Sequence, residues 1–245
     1  MTRPLAIDLF CGLGGWTEGL LAEGYDVVGF DIERHQYGEA RYPAQLVLQD
    51  VLTLHGRQFK DASLIVASPP CQAYSYMAMP WSRAKTMRAE YLSGKRDVKE
   101  LTALFDACFR IQREASEAAG RHIPMVVENV RGAQEWVGRA RWNYGSFYLW
   151  GDVPALMPMV AKHRAKFILD DIKNNQRRDI EGIYADGIKA GKDWFGGYGG
   201  GFGGDCSPTR RNSSKSSARK AASAAVAKIP FPLSRHIAQV FRPQI

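Results

Sequence analysis

Residues 4–10 form a short apolar run, Pro4-Leu5-Ala6-Ile7-Asp8-Leu9-Phe10, that passes without a linker into Cys11-Gly12-Leu13-Gly14-Gly15. Trp16-Thr17-Glu18-Gly19-Leu20-Leu21 follows, with apolar residues at helical spacing. A strand, a glycine-rich turn and a helix start in immediate succession restrict the fold to a nucleotide-cradling α/β unit. Glycines let backbone approach a ligand where a Cβ would clash, and the helix start offers N–H groups with no partner of their own. No Gly-Lys-Ser or Gly-Lys-Thr follows the glycines. The expected ligand therefore carries a nucleoside without needing a phosphate grip.

The following residues repeat the α/β alternation. Residues 25–31 and 46–51 read as strands, and Asp31 and Asp50 stand at their carboxyl ends. An acid after the second strand is placed to bind ribose hydroxyls. Either aspartate alone also fits a helix cap or a turn, but two in succession favour a bound nucleoside. Residues 63–67, Ser-Leu-Ile-Val-Ala, form a buried strand stopped by Pro69 and Pro70, neither of which can donate to a ladder. Cys71 follows at the strand end, where ligands and chemistry collect in an open α/β sheet. It reads as a nucleophile or as a buried structural thiol. Residues 73–96 show no clear periodicity. They interleave Arg83, Lys85, Arg88, Lys95 and Arg96 with Tyr74, Tyr76, Trp81 and Tyr91, a pattern suited to nucleic-acid contact and, at that length, to a lid. The spacing predicts a helix over 98–119 with Cys108 on its apolar stripe. A buried strand over 123–127 delivers Glu128-Asn129-Val130 at its carboxyl end. Burial there makes Glu128 an acid or a hydrogen-bond donor. Its alternative role is to cap a helix over 132–136.

At 245 residues and 45% hydrophobic content, the chain makes one large domain, or one with a small appendage. No apolar run is long enough to span a membrane, and Asp8 interrupts the first one, so no secretory leader is expected. The cysteines at 11, 71, 108 and 206 lack metal-type spacing. They suggest a reducing, cytoplasmic setting with no disulfide framework and no metal. The net charge of +8 sits in residues 206–245, which hold eight Lys and Arg and no acid. Such an excess fits a polyanionic partner, most simply nucleic acid, or a solvated basic tail.

Asp8-Leu9-Phe10-Cys11-Gly12-Leu13-Gly14-Gly15, Pro69-Pro70-Cys71-Gln72 and Glu128-Asn129-Val130 resemble, in order and spacing, the motifs of the DNA (cytosine-5)-methyltransferase family over about residues 5–151. Ile229-Pro230-Phe231-Pro232-Leu233-Ser234 and the short apolar helix after it are similar to the family's C-terminal motif, whose helix packs back beside the first strand. In its short length the chain resembles a compact phage-type or prokaryotic member more than a full enzyme of a restriction-modification system. The resemblance implies a doubly wound, Rossmann-like α/β sheet, S-adenosylmethionine as cofactor and duplex DNA as partner. Phe10, Gly12, Gly14 and Gly15 would line the cofactor, together with Asp8, Leu9, Ile32 and Pro69. Asp31 would hold its ribose, and Asp50 with Val51 its adenine. Cys71 would attack C6 of a flipped-out cytosine. Glu128, with Asn129 beside it, would engage the same base, and residues 73–96 would close over it.

The chain departs from the family in three places. The family's Gln-x-Arg-x-Arg strand lies well downstream of Glu-Asn-Val. Here the nearest candidate, Gly138-Arg139-Ala140-Arg141-Trp142, comes too early and lacks the glutamine, and Gln176-Arg177-Arg178 lies in a charged stretch that does not read as a strand. Arg139 and Arg141 are candidate active-site or phosphate contacts, or else part of a surface hairpin ending at Gly151. The sequence-reading region is short, and residues 194–204 consist entirely of glycine and aromatics, a linker or a surface laid against DNA. Residues 213–228 begin like a linker and turn helical from Ala218, with basic side chains suited to phosphate. The expected division is a catalytic and cofactor domain over 1–151, a recognition region over 152–228 and a returning helix over 229–245. RNA cytosine-5 methylation and a DNA-binding protein without turnover are the alternative functions.

Overall fold

A computed structural model of the chain describes residues 2–71, 74, 81–158 and 217–243. The glycine-aromatic run 194–204, Gln176-Arg177-Arg178, Gln72 and most of the stretch 152–216 lie outside the described residues.

The first strand is β1 (Leu5–Leu9), followed by helix α1 (Gly15–Ala22) and β2 (Asp26–Asp31). A small separate hairpin, β3 (Gln36–Tyr37) and β4 (Ala40–Arg41), leads to β5 (Gln45–Leu48) and β6 (Leu64–Ala67). Helices α2 (Trp81–Leu92) and α3 (Val98–Ala119) precede β7 (Met125–Asn129), helix α4 (Gln134–Val137) and the hairpin β8 (Trp142–Tyr144) and β9 (Phe147–Gly151). Helices α5 (Ser217–Ala227) and α6 (Phe231–Phe241) complete the described chain.

Among the described residues, seven strands form one sheet in the order β5-β2-β1-β6-β7-β9-β8. The first five positions are parallel, while β9 runs antiparallel to β7 and β8 antiparallel to β9. This is the doubly wound, Rossmann-like α/β sheet that the sequence predicts. Chain order reverses between β1 and β6, so a crevice opens above their carboxyl ends. The register is what matters for the site. Leu9 pairs with Phe30 and with Ala67, and Ala67 pairs with Val127. The residues just beyond these four positions are Phe10, Asp31, Ser68 and Glu128. Alignment of the ladders thus brings four separate motifs to one edge.

Period-two alternation sends each parallel strand's side chains to two cores. Ile7, Leu9, Ile65, Met125 and Val127 pack with Leu101, Phe105, Cys108 and Ile111 of α3. Ala6, Leu64, Val66 and Val126 pack on the opposite face with Trp16 and Leu20 of α1 and Leu233, Ile237 and Ala238 of α6. Helix α3 occupies the predicted 98–119. Its start is capped by the Asp97 carboxylate, which accepts from Lys99 N–H at 2.8 Å, and it stops at Gly120 with φ +64°. Helix α6 lies against α1. Tyr25 Oη donates to Ala238 O at 3.1 Å, and Arg235 and Lys228 pair with Glu23 and Glu18 at 2.6 Å each.

Three expectations change. The stretch 73–96, expected to lack periodicity, contains α2. Its apolar stripe is weak because it docks through Arg88, whose Nε donates to both Glu135 oxygens at 2.7 and 3.0 Å, and through Tyr91 edge-on to Trp136 at 5.5 Å. The strand expected over 123–127 is shifted to 125–129, because β9 continues the ladder past Val127: Glu128 pairs with Leu149 and Asn129 with Tyr148. The hairpin around Gly145 is a sheet edge rather than a surface flap, with Phe147 and Leu149 fully buried.

Candidate active site

The glycine turn is shaped by its own backbone. Phe10 (φ +58°), Gly12 (φ +51°) and Gly14 (φ +79°) all lie in the left-handed region, where a non-glycine residue such as Phe10 is strained. Gly14 N–H donates to Cys11 O at 2.8 Å, and Cys11 N–H donates to Phe30 O at 3.1 Å, fixing the turn to β2. A Cβ on Gly12 would meet nothing within 4 Å, so its open side faces the crevice. A Cβ on Gly14 would lie 2.5 Å from Pro43 Cδ, and one on Gly15 would lie 2.4 Å from Ile229 N. Those two glycines therefore serve packing against the protein itself.

Asp31 clamps this turn. One carboxylate oxygen accepts Gly12 N–H at 2.9 Å; the other accepts Glu33 N–H at 3.2 Å and lies 3.5 Å from His35 Nε2. Burial works to raise its pKa, but the bonds from His35, Gly12 and Glu33 outweigh it and hold the carboxyl below its ordinary value. His35 is raised in turn, chiefly by the bond to Asp31. Asp50 caps the short turn Val51–Thr53, accepting Leu52 N–H at 2.9 Å.

Asp8 lies beneath the turn, 1% exposed. Its Oδ2 accepts Thr17 Oγ1–H at 2.6 Å, and Thr17 Oγ1 is 2.7 Å from Tyr42 Oη. Its Oδ1 has no hydrogen-bond partner among the described residues. Burial pushes its carboxyl up to about 8. The Thr17 bond opposes the rise and the Asp31 charge adds to it.

On the other side of the crevice, Ser68 Oγ accepts Trp16 Nε1–H at 2.9 Å. Asn129, 1% exposed, donates from Nδ2 to Pro69 O at 2.9 Å, and its Oδ1 accepts Val130 N–H at 2.8 Å. This bond ties the end of β7 to the Pro69-Pro70-Cys71 segment. Tyr74 holds the segment from below: its N–H donates to Cys71 O at 2.9 Å, and its buried hydroxyl donates to Leu101 O at 2.7 Å. Tyr74 is thus an internal anchor, in contrast to the nucleic-acid contact expected of the aromatics in 73–96, and Tyr91 is likewise occupied by Trp136. Cys71 is half-buried, whereas Cys11 and Cys108 are buried, and burial pushes both of their thiols up. Among these three, Cys71 alone combines exposure with a stiff strand-end backbone.

A cleft of about 600 Å³ gathers these parts. Phe10, Gly12, Gly15, Asp31, Ile32, Asp50, Val51 and Pro69 line it, with Cys71 and Glu128. Asp8, Leu9, Gly14 and Asn129 lie outside the lining and support it from behind. Arg139 and Arg141 are exposed and also lie outside it. Sequence reasoning missed Glu33, His35, Leu52, Leu104, Lys220 and Lys228, which line the cleft as well. The two lysines come from α5 and the residue after it; α5 packs against β3, so part of the basic tail faces the crevice.

Residues 5–101 match the C-5 cytosine-specific DNA methylase family. The matched stretch of this methylase domain runs from β1 into α3, takes in Cys71, and ends before Glu128. Members of the family use S-adenosylmethionine as methyl donor. Similar solved structures include the Dnmt2 methyltransferase of S. pombe, at 18% identity, 56% of this chain, 37% of that one and TM-score 0.35. A putative DNA modification methyltransferase encoded within an E. coli prophage matches at 20% identity, 56% of this chain, 35% of that one and TM-score 0.32. The Entamoeba histolytica methyltransferase EhMeth matches at 14% identity, 65% and 57% of the two chains and TM-score 0.37. The chain thus spans little more than a third of the first two structures. No curated protein matches it. Among the described residues no helix is long and apolar enough to cross a membrane.

Proposed function

We propose that the protein transfers a methyl group to C5 of cytosine in duplex DNA, with Cys71 as nucleophile and Glu128 as the acid that engages the base. The observation that carries this reading is that the glycine turn, Asp31 and Asp50 share one cleft with Cys71 and Glu128. A nucleoside donor and a reacting base then meet above the carboxyl ends of β1 and β6.

The residues present fit S-adenosylmethionine. Gly12 leaves its side of the cleft open. Ile32 and Leu52 line it while 74% and 47% exposed, and such side chains suit a purine ring better than water. Asp31 is oriented by three neighbours, ready for ribose hydroxyls, and Asp50 with Val51 borders the adenine side. Bound there, the donor supplies an electrophilic methyl group.

The chain's own residues supply the rest. C5 of cytosine is too weak a nucleophile on its own. Addition of the Cys71 thiolate to C6 makes C5 enamine-like, and Glu128, 7% exposed, protonates or hydrogen-bonds the ring at N3. Acid assistance of this kind contributes about 10²–10⁴-fold. After transfer, a base removes the C5 proton and the thiolate leaves. Asn129 and Tyr74 keep Cys71 at a fixed height over the cleft, which is where positioning contributes to rate.

The test is transfer of label from S-adenosylmethionine to duplex DNA and to RNA, with Cys71→Ala alongside. Transfer to DNA that Cys71→Ala abolishes is the expected result. Preferential transfer to RNA replaces the substrate, and duplex binding without transfer replaces the enzyme with a binding protein.

A further inference from the structure

Basic residues cluster in two chain segments near the cleft that contact each other. Residues 81–96 carry five Lys and Arg against the single acid Glu90, and residues 131–145 carry Arg131, Arg139 and Arg141 against the single acid Glu135. Both acids are already engaged. Lys95 and Arg96 pair with Glu90 at 3.4 and 2.7 Å, and Arg88 holds Glu135. The two segments are docked on each other through that Arg88–Glu135 pair and through Tyr91 against Trp136. They therefore present an excess of six positive charges together.

The backbone beneath this face is fixed. Ala140 N–H donates to Gln134 Oε1 at 3.1 Å, Arg141 N–H to Leu149 O at 2.8 Å, and Trp150 Nε1–H to Gly138 O at 2.9 Å. Arg83, Arg131, Arg139 and Arg141 are exposed. Arg131 directly follows Val130, which lines the cleft, so the face begins at the cleft's rim. This is the rim beside Glu128, opposite the cofactor turn. A rigid cationic shelf beside a site for a flipped base suits the regularly spaced phosphates of a duplex.

We propose that α2, the turn at Arg131 and the approach to β8 at Arg139 and Arg141 form the docking surface for the phosphate backbone of the DNA duplex. The proposal rests on the function given above and names the surface that presents DNA to that site. It gives Arg139 and Arg141 a phosphate-binding role at a distance from the reacting atoms.

The test is the salt dependence of duplex binding by the full chain. Removing one cation–phosphate pairing lowers the slope of log affinity against log salt by about 0.9. The triple variant Arg131→Gln/Arg139→Gln/Arg141→Gln is expected to lower it by about 2 to 3, with thermal stability and S-adenosylmethionine affinity unchanged. A control with the same charge removed elsewhere, Arg3→Gln/Arg57→Gln/Lys60→Gln, is expected to lower it by less than about 0.5. An unchanged slope in the triple variant, or an equal fall in the control, overturns the proposal. A fall on structured RNA with none on duplex DNA overturns it in favour of RNA. Methyl transfer by the unmodified protein is measured in parallel. Its absence refutes the enzyme reading, while the slopes still decide the surface.

Discussion

Gly19→Ala sets helix propensity against packing, and the two predict opposite signs. Gly19 is buried in the middle of α1. On propensity alone, alanine there stabilises by about 1 kcal/mol. In the fold, its Cβ would sit 2.4 Å from Arg235 N, Ser234 C and Ser234 Oγ. Two of these are backbone atoms, which no rotamer change can move. Ordinary van der Waals separation is about 3.5 Å, so α6 must withdraw by about 1 Å from α1. The buried side chains Leu233, Ile237 and Ala238, all 0% exposed, then pack less closely along the interface, and the Tyr25–Ala238 bond lengthens. Overpacking of this kind costs about 1–3 kcal/mol, and loosening of a whole helix interface places the cost toward the upper end. The net expectation is destabilisation of about 1–2 kcal/mol. Urea unfolding followed by the fluorescence of Trp16 and its neighbours measures it, with a lower midpoint and an unchanged slope. Because Ile229 and Lys228 border the cleft just before α6, affinity for S-adenosylmethionine should fall as well. A midpoint that rises would refute the argument that α6 is seated on the Gly19 backbone.

Two further outcomes are expected. Asp8 ionises near pH 4 in the unfolded chain but only at about 8 in the fold, so the folded state holds the extra proton between those values. Stability therefore falls as pH rises through that window, by up to about 1.4 kcal/mol per unit. Melting temperatures of the native chain and Asp8→Asn should diverge from pH 5 to 8, with the variant flatter, and parallel curves would count against a protonated Asp8. Asn129→Ala leaves Pro69 O without its bond, at a cost of about 1–3 kcal/mol. It should lower kcat while leaving donor affinity intact, and a variant with weakened donor affinity instead would show that Asn129 serves the cofactor side.

Much of the candidate site is legible in the sequence because it depends on local chemistry. Gly-Leu-Gly-Gly after an apolar strand, two prolines before Cys71, an acid closing β2 and another just past β5 each need only a few adjacent residues to be recognised. Ladder register then brings them together, and register follows from the apolar alternation of β1, β6 and β7. What escaped the sequence depends on long-range pairing. Helix α2 has too weak an apolar stripe to announce itself, since an ion pair and one aromatic contact hold it to α4. Glu128 and Asn129 joined β7 because β9, some twenty residues later, extends the ladder. Tyr74 sat among exposed-looking aromatics, and nothing local marks its hydroxyl as bound to Leu101 O. Lys220 and Lys228 looked like tail charges until the packing of α5 on β3 turned them toward the cleft. Asp8 matched the motif, but its role beneath the turn follows from Thr17 and Tyr42, a contact that spans β2 and the small hairpin.

The central claim is that Cys71 forms a bond to the base. It is tested most directly by incubating the protein and S-adenosylmethionine with duplex DNA carrying 5-fluorocytosine, whose C5 fluorine cannot leave as a proton does. The account predicts a covalent protein–DNA complex, stable to denaturation, with the DNA mapped by mass spectrometry to the peptide containing Cys71 and absent from Cys71→Ala. Methyl transfer to ordinary DNA without any trapped complex, or a complex that persists in Cys71→Ala, would contradict it.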